Sequence, residues 1–141
     1  MPLIVLEGPD GAGTTKHSKL LADRLSKEGH DVVLTAEPTD GPIGEFIRSI
    51  LKAPSRDVGA LHAMPLPSPA ALQLLFSADR ADHVARVMAP ALAAGKTVIT
   101  DRYTLSTMVY GAAQGLDKEW LRSINAAFPK PDITVLLLPP Y

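Results

Sequence analysis

Short hydrophobic runs alternate along the chain with longer segments in which hydrophobic residues recur every three or four positions. The runs predict four β-strands, at residues 3–7, 31–36, 97–101 and 132–138. The longer segments predict helices at residues 14–28, 44–52, 105–113 and 117–128, and a further long helix that starts after Ser68. Strands that alternate with helices are typical of βαβ units. We therefore expect an α/β protein with three layers, in which helices flank a parallel sheet.

The same pattern predicts where helices end and which side chains they bury. Gly29 is placed to end the first helix, and Ser68 and Pro69 suit the start of the long one. That helix should run to Leu92 with a kink at Pro90, and the proline-rich segment at residues 53–69 should be a loop. The side chains expected to be buried by helical spacing are Leu20, Leu21, Leu25, Phe46, Ile47, Ile50, Leu51, Trp120, Leu121, Ile124 and Phe128.

Length and composition narrow the classes of function. With 141 residues, 46% hydrophobic residues and a formal net charge of −1, the chain is expected to form one domain, at residues 1–141, without a surface for nucleic acid. The absence of cysteine excludes thiol catalysis and cysteine-bound zinc, and the four histidines lack metal-ligand spacing. No hydrophobic run is long enough to span a membrane and no secretion signal is evident, so we expect a cytoplasmic protein.

A glycine-rich segment directly after the first predicted strand carries the strongest chemical signal. Its sequence, GPDGAGTT at residues 8–15, fits the phosphate-binding pattern G-x-x-x-x-G-K-[ST] except at Thr14, which occupies the lysine position. Backbone N–H groups of such a loop turn inward around phosphate, and the helix that follows directs its positive end to the same place. The Thr15 hydroxyl would then bind a magnesium ion. A turn that is rich in glycine for other reasons is the alternative.

The threonine at position 14 removes a positive charge that the pattern supplies. A charge about 4 Å from a phosphate oxygen contributes about 4 kcal/mol at an effective dielectric constant near 20, which corresponds to roughly a thousandfold in rate. Lys16 lies nearby, but two helical residues rotate a side chain by about 200°. We therefore do not expect Lys16 to take the place of the missing lysine.

Four segments, in the same order along the chain, resemble the thymidylate kinase family. They are LEGPDGAG at residues 6–13, EP at 37–38 followed by GE at 44–45 and IR at 47–48, LLFSADR at 74–80, and DRY at 101–103 followed by Ser106 and Tyr110. Four ordered segments are more specific than any one of them. The resemblance implies a P-loop nucleoside monophosphate kinase fold and transfer of the γ-phosphoryl group of ATP to dTMP with Mg²⁺.

The resemblance also implies contacts to dTMP. Asp10 would bind the sugar hydroxyl, Phe76 would stack on thymine, and Arg80 would contact the base or its surroundings. Phe76 and Arg80 are four residues apart, so they share one face of a helix. The other expected dTMP contacts are Glu37, Arg102, Ser106, Tyr110 and Gln114. From the residues alone, the alternatives are a core position for Phe76 and an exposed helix face for Gln114.

For ATP and Mg²⁺, the resemblance points to the phosphate loop and to the end of the third predicted strand, where ligands of parallel sheets gather. Asp101 would hold Mg²⁺ together with Thr15, and Arg102 would clamp the acceptor phosphate. We therefore predict Asp101, Arg102 and Thr14 as catalytic residues, with a plain surface ion pair as the alternative for Asp101 and Arg102. The expected ATP contacts are Gly8, Asp10, Gly11, Ala12, Gly13, Thr14 and Thr15.

Two further features depart from the family pattern. Ala36 stands where the family often has an arginine, and the chain stops at Tyr141, just after the fourth predicted strand. We therefore expect a truncated fold that lacks the lid and the last strand of the family. A homodimer would fit the resemblance. Two alternative functions stay open, namely a kinase for another nucleoside monophosphate and a nucleotide-binding module with weak or no catalysis.

Overall fold

The computed structural model describes residues 1–52 and 66–140, which form a parallel sheet between two layers of helices. The strands are β1 (Leu3–Glu7), β2 (Val32–Ala36), β3 (Thr97–Asp101) and β4 (Ile133–Leu136). Their order in the sheet is β2-β3-β1-β4, and every neighbouring pair is parallel. The predicted three-layer α/β architecture is therefore confirmed, and the strand bounds differ from the predicted ones only at their ends.

Helices connect these strands and follow the predicted order. They are α1 (Thr14–Lys27), α2 (Pro42–Lys52), α3 (Pro69–His83), α4 (Ala89–Ala93), α5 (Thr104–Ala113) and α6 (Lys118–Asn125). Ser68 caps α3 by accepting a hydrogen bond from the Ala71 N–H, as its position before a proline predicted. Residues 53–65 of the predicted loop lie outside the described residues.

The predicted long helix changes its winding before Pro90. Between α3 and α4, Val84–Met88 form a π-helical turn, in which the Ala89 N–H donates to the Val84 carbonyl oxygen. Proline lacks the N–H that would bond to the carbonyl four residues back, and a wider turn is one way in which a helix accommodates such an interruption. A π turn therefore directly precedes Pro90, and the kink expected there stays a prediction.

Alternate residues of the strands face two separate hydrophobic clusters, because successive side chains of a strand point to opposite faces of a sheet. One cluster consists of Leu3, Val5, Met88, Ala91, Val98 and Tyr103, and the other consists of Ile4, Leu6, Ala22 and Ile99. All residues of β1 and β3 are buried as a result. The carboxyl ends of these two central strands, which carry Glu7 and Asp101, are thus held between packed layers.

Several side chains that were expected to be buried are exposed. Leu20 on α1 is 55% exposed, and Phe46 and Leu51 on α2 are 51% and 55% exposed. A helix buries only the stripe of its surface that faces its neighbours, which are mainly the sheet for α1 and α3 for α2, and these residues fall outside that stripe. Ile133 and Leu136 are also exposed, because β4 is the outer strand of the described sheet and is covered less completely than β1 and β3.

Within the described ranges, none of the helices combines the length and the hydrophobicity that crossing a membrane requires.

Candidate active site

The phosphate loop joins β1 to α1 and has a backbone conformation that requires its glycines. Gly11 and Gly13 have φ angles of 81° and 86°, which side chains other than that of glycine rarely permit. A Cβ atom on Gly8 would lie 2.9 Å from the Cβ atom of Ala12 and from the carbonyl oxygen of Leu137. The loop leads directly into the N-terminus of α1, so the positive end of the helix dipole faces it.

Thr14 begins α1 in a packed position against the loop. It is 5% exposed, and its Cγ2 lies 3.3 Å from the position that a Cβ on Gly8 would occupy. Lys16, two residues further along the helix, is exposed. A threonine hydroxyl carries no charge, so position 14 does not supply the cation that the phosphate-binding pattern places there.

A hydroxyl and a carboxylate meet beside the loop, at the start of α1 and the end of β3. Thr15 Oγ1 donates to Asp101 Oδ2 at 2.5 Å. Asp101 is 8% exposed, and its Oδ1 has no hydrogen-bond partner among the described residues. Mg²⁺ binds to oxygen ligands, usually through one or two protein groups, and keeps waters and phosphates as its other ligands. The residues present therefore fit the predicted metal ion, which Thr15 and Asp101 would hold.

Arg102 lies between the phosphate loop and α5. Its guanidinium group donates to the Gly8 carbonyl oxygen at 2.9 Å, to Ser106 Oγ at 3.1 Å and to Asp10 Oδ1 at 2.9 Å. Among the residues that the structure describes, Arg102 is the only one other than glycine with a positive φ, which is 67°. Such a conformation costs about 1–3 kcal/mol and is common at functional sites. Three hydrogen bonds thus hold the guanidinium group against the loop on a strained backbone.

Glu7 is a site residue that the sequence reasoning missed. It is 2% exposed, and its Oε1 accepts hydrogen bonds from the Tyr103 N–H at 3.1 Å and from the Ser106 N–H at 3.3 Å. Its Oε2 accepts from the hydroxyl of Ser106, which accepts in turn from Arg102. Glu7 therefore caps α5 from a different element and is connected to Arg102 through Ser106. A carboxylate at the end of the buried strand LIVLE is the signal that could have revealed it.

The pKa of Glu7 predicts a pH dependence of stability. Burial raises the pKa of this carboxyl above its usual value, although hydrogen bonds from Ser106 and Tyr103 act in the opposite direction. When the pKa is higher in the folded protein than in the unfolded chain, the stabilising contribution is present below the unfolded pKa and is lost as the pH rises through the folded pKa. Glu7→Gln removes this titration. The free energy of unfolding of the variant, minus that of the unaltered protein, should therefore increase with pH across this window.

Urea unfolding at a series of pH values from about 4 to 7 measures this difference. Glu119→Gln provides the matched control, because Glu119 is exposed on α6. We expect its difference from the unaltered protein to vary less with pH than that of Glu7→Gln. A difference for Glu7→Gln that stays constant over the range would contradict the assigned burial of the charge.

A cavity of about 250 Å³ opens beside Arg102 and is lined by most of the predicted dTMP contacts. The predicted residues in its lining are Asp10, Glu37, Phe76, Arg80, Arg102, Tyr110 and Gln114. Ser106 is not part of the lining, and its hydroxyl is bonded to Glu7 and Arg102, so its contact with dTMP stays a prediction. Burial and the nearby Asp10 carboxylate raise the pKa of Tyr110, so its phenol stays protonated. The structure thus brings together residues that lie far apart in the sequence.

Arg80 reaches this cavity as part of a buried ion pair. It is 0% exposed, and its Nε donates to Glu37 Oε2 at 2.9 Å while its Nη1 donates to Asn125 Oδ1 at 2.5 Å. Its guanidinium carbon lies 5.0 Å from the centre of the Tyr103 ring. The other carboxylate oxygen of Glu37 lies 2.9 Å from His83 Nδ1. A buried charge requires such partners. Contacts of Arg80 and Glu37 with a bound nucleotide stay a prediction.

A larger cavity, of about 470 Å³, adjoins Thr15 and Asp101 on the side of β2. Leu34 and Ala36 line it, and Arg48 lies at its edge. The guanidinium group of Arg48 donates to the carbonyl groups of residues 38 and 39. Ala36, at the position where the resemblance implied an arginine, adds only a methyl group to the lining of this cavity beside Thr15 and Asp101.

The sheet order, the phosphate loop after β1 and the hydroxyl–carboxylate pair beside it define a class of protein: the chain is a P-loop α/β protein. A family model for thymidylate kinase matches residues 6–140. The chain therefore belongs to the thymidylate kinase family.

Individual relatives agree with this assignment. A probable thymidylate kinase of Thermococcus kodakarensis is 48% identical over 95% of this chain and 64% of its own length. A thymidylate kinase of Synechococcus sp. (strain JA-3-3Ab) is 46% identical over 86% of this chain and 55% of its own length. The crystal structure of thymidylate kinase from Ehrlichia chaffeensis has a TM-score of 0.80 at 34% identity, and the match covers 96% of this chain and 70% of that one. The chain spans less than two thirds of the length of these curated relatives.

Proposed function

We propose that this chain is part of an enzyme that transfers the γ-phosphoryl group of ATP to dTMP, which produces dTDP for dTTP synthesis, with Mg²⁺. One observation carries the proposal beyond family membership. Arg102 lies between the phosphate loop, where it bonds to Gly8, and the cavity that contains Phe76 and Tyr110. Phosphoryl transfer requires the donor and acceptor phosphates to meet in line, and a planar guanidinium group at that boundary suits both.

Each part of the site has a role in this transfer. The backbone N–H groups of the phosphate loop bind the ATP phosphates, and Arg102 orients the phosphate of dTMP. Phe76 stacks on the base, and Asp10 accepts a hydrogen bond from the sugar hydroxyl. When bound at Thr15 and Asp101, Mg²⁺ neutralises charge on the phosphates. Because positioning and charge supply most of the acceleration, the transfer needs no strong base from the protein.

Acceptor preference tests the proposal. We expect ADP release with dTMP to exceed that with dUMP, CMP or AMP, and Phe76→Ala to raise the KM for dTMP about tenfold or more, because stacking of a base on an aromatic ring contributes about 1–3 kcal/mol. Phe46→Ala is the control, since Phe46 is exposed and lies outside the cavity lining. Equal turnover of all four acceptors would favour a kinase for another nucleoside monophosphate.

A nucleotide-binding module with weak or no catalysis is the second candidate, and Thr14 is the observation that favours it. This candidate predicts that calorimetry detects binding of dTMP and ATP while no ADP forms. Formation of ADP that depends on dTMP would exclude it. The bonds of Thr15 with Asp101 and of Arg102 with Gly8 support the active enzyme, because they hold oxygen ligands and a guanidinium group beside the phosphate loop.

Oligomeric state and location complete the proposal. A homodimer is supported by exposed hydrophobic side chains on α5, where Leu105 is 37% and Val109 is 56% exposed. Light scattering tests it, since a dimer has twice the chain mass of 15.0 kDa.

The nearly balanced charge supports a protein without a nucleic-acid partner. A cytoplasmic location, where ATP and dTMP are available, belongs to the same proposal.

A further inference from the structure

The face of α3 that lines the smaller cavity carries a third polar or aromatic residue besides Phe76 and Arg80. Gln73 precedes Phe76 by three positions and Arg80 by seven, so the three side chains follow one side of the helix. All three line the cavity. The resemblance to the family assigned roles to Phe76 and Arg80 but none to Gln73.

Gln73 is buried without a partner for its acceptor. The residue is 1% exposed, and its Oε1 has no hydrogen-bond partner among the described residues. Buried polar atoms in native proteins are almost always bonded, so each exception needs an explanation such as a bound ligand or water. An unpaired amide oxygen in the wall of a cavity indicates that the cavity is completed by a group with an N–H or O–H donor.

The amide of Gln73 packs against Gly111 of the neighbouring helix α5. A Cβ atom on Gly111 of α5 would lie 3.1 Å from the amide carbon of Gln73 and 2.7 Å from Leu121 Cδ2. Glycine at position 111 therefore leaves the space that the glutamine occupies. A side chain confined in this way presents its hydrogen-bonding groups in a fixed direction, as recognition of a ligand requires.

Two other polar groups of the cavity, those of Arg80 and Thr107, are already engaged within the protein. Arg80 donates to Glu37, Asn125 and Thr107. The hydroxyl of Thr107 donates to the Thr104 carbonyl oxygen at 3.0 Å, so its proton is committed within α5. The hydroxyl of Tyr103 also lacks a partner among the described residues, but its ring belongs to the hydrophobic core. Gln73 Oε1 is thus an unpaired acceptor in the cavity wall. Its side chain belongs neither to the ion-pair network of Arg80 nor to the hydrophobic core.

We propose that the amide of Gln73 forms hydrogen bonds with the base edge of the acceptor nucleotide. This proposal rests on the proposed function. The thymine base offers an N3–H donor flanked by two carbonyl acceptors, and a glutamine amide offers an acceptor beside a donor. Oε1 of Gln73 accepts from N3–H, and its NH₂ group donates to a neighbouring carbonyl oxygen. The cavity therefore takes a pyrimidine with an imide edge.

The test compares dTMP binding by the full chain and by Gln73→Met, measured by calorimetry. Methionine keeps the length of the side chain and removes both hydrogen-bonding groups, so we expect the Kd of dTMP to rise about tenfold. The melting temperature of the free variant should not fall, because an unpaired buried acceptor is removed, whereas a glutamine with a purely structural role would lower it when replaced. Leu74→Met on the exposed side of α3 is the matched control and should leave both quantities unchanged.

A second measurement varies the ligand and does not depend on the folding of a variant. A dTMP analogue methylated at N3 lacks the donor, and we expect the unaltered chain to bind it at least about tenfold more weakly than dTMP. The role of Gln73 would be overturned if the unaltered chain bound the two ligands equally, or if Gln73→Met and the unaltered chain had equal Kd values for dTMP. Either result would leave the proposed function unaffected. Failure of the unaltered chain to bind dTMP would overturn the proposed function, and the base contact with it.

Discussion

Replacing Arg102 by methionine is expected to lower the kcat of the proposed dTMP phosphorylation at least about a hundredfold, because loss of one well-placed donor to a reacting oxyanion typically costs a factor of about 10²–10³. The guanidinium group bonds to the phosphate loop at Gly8 and to Asp10 at the edge of the base cavity, so its removal also frees these acceptors. The KM for dTMP should rise as well. A coupled assay of ADP release measures both constants.

The matched control is Arg24→Met on α1. Arg24 pairs with Glu28 on the exposed surface, where an ion pair contributes little. Methionine at position 102 experiences the same φ of 67° as arginine does, so the substitution adds no new backbone strain. If the kcat of Arg102→Met stays within about twofold of that of Arg24→Met, and its melting temperature is unchanged, Arg102 takes no part in the reaction.

Introducing lysine at position 14 should raise kcat, by at most about a thousandfold. The limit follows from a charge about 4 Å from a phosphate oxygen at an effective dielectric constant near 20. Thr14 is packed against the loop, but the flexible stem of a lysine can follow that surface while its ammonium group reaches the mouth of the loop. The rate of ADP release at saturating ATP and dTMP measures the gain.

Ser26→Lys controls for the added charge, since position 26 lies near the far end of the same helix and is exposed. We expect it to leave kcat unchanged. If Thr14→Lys also leaves kcat unchanged while ATP binding is retained, the missing charge does not limit the reaction, and another cation of the complete site fulfils its role. If ADP forms only after Thr14→Lys, the unaltered chain is a binding module.

The phosphate loop could be predicted because its determinants lie within eight consecutive residues. The left-handed conformations at Gly11 and Gly13, and the close approach at Gly8, depend on local sterics that a sequence pattern reflects directly. The strands could be predicted for a similar reason, since their hydrophobic runs are contiguous. The same local reasoning was wrong for Leu20 and Phe46, because helical spacing does not reveal which stripe of a helix its neighbours will cover.

The partners of the site residues could not be predicted in this way. Glu7 and Ser106 are 99 positions apart, and Arg80 and Glu37 are 43 positions apart. Nothing in the spacing of either pair indicates a contact, since both depend on which strand and which helix become neighbours. For the same reason the sequence did not reveal that the Ser106 hydroxyl connects the cap of α5 to Arg102, and the contact of Ser106 with the nucleotide stays a prediction.

By itself, the sequence determined the order of strands and helices, the position of the phosphate loop and the absence of a lysine from it, because each depends on neighbours along the chain. Only the tertiary structure decided that Glu7 supports Arg102, that Arg80 is neutralised by Glu37, and that the amide oxygen of Gln73 has no hydrogen-bond partner among the described residues. The physical reason is that burial removes water as a partner. Each polar group must then find another, and the packing of distant segments decides which groups are within reach.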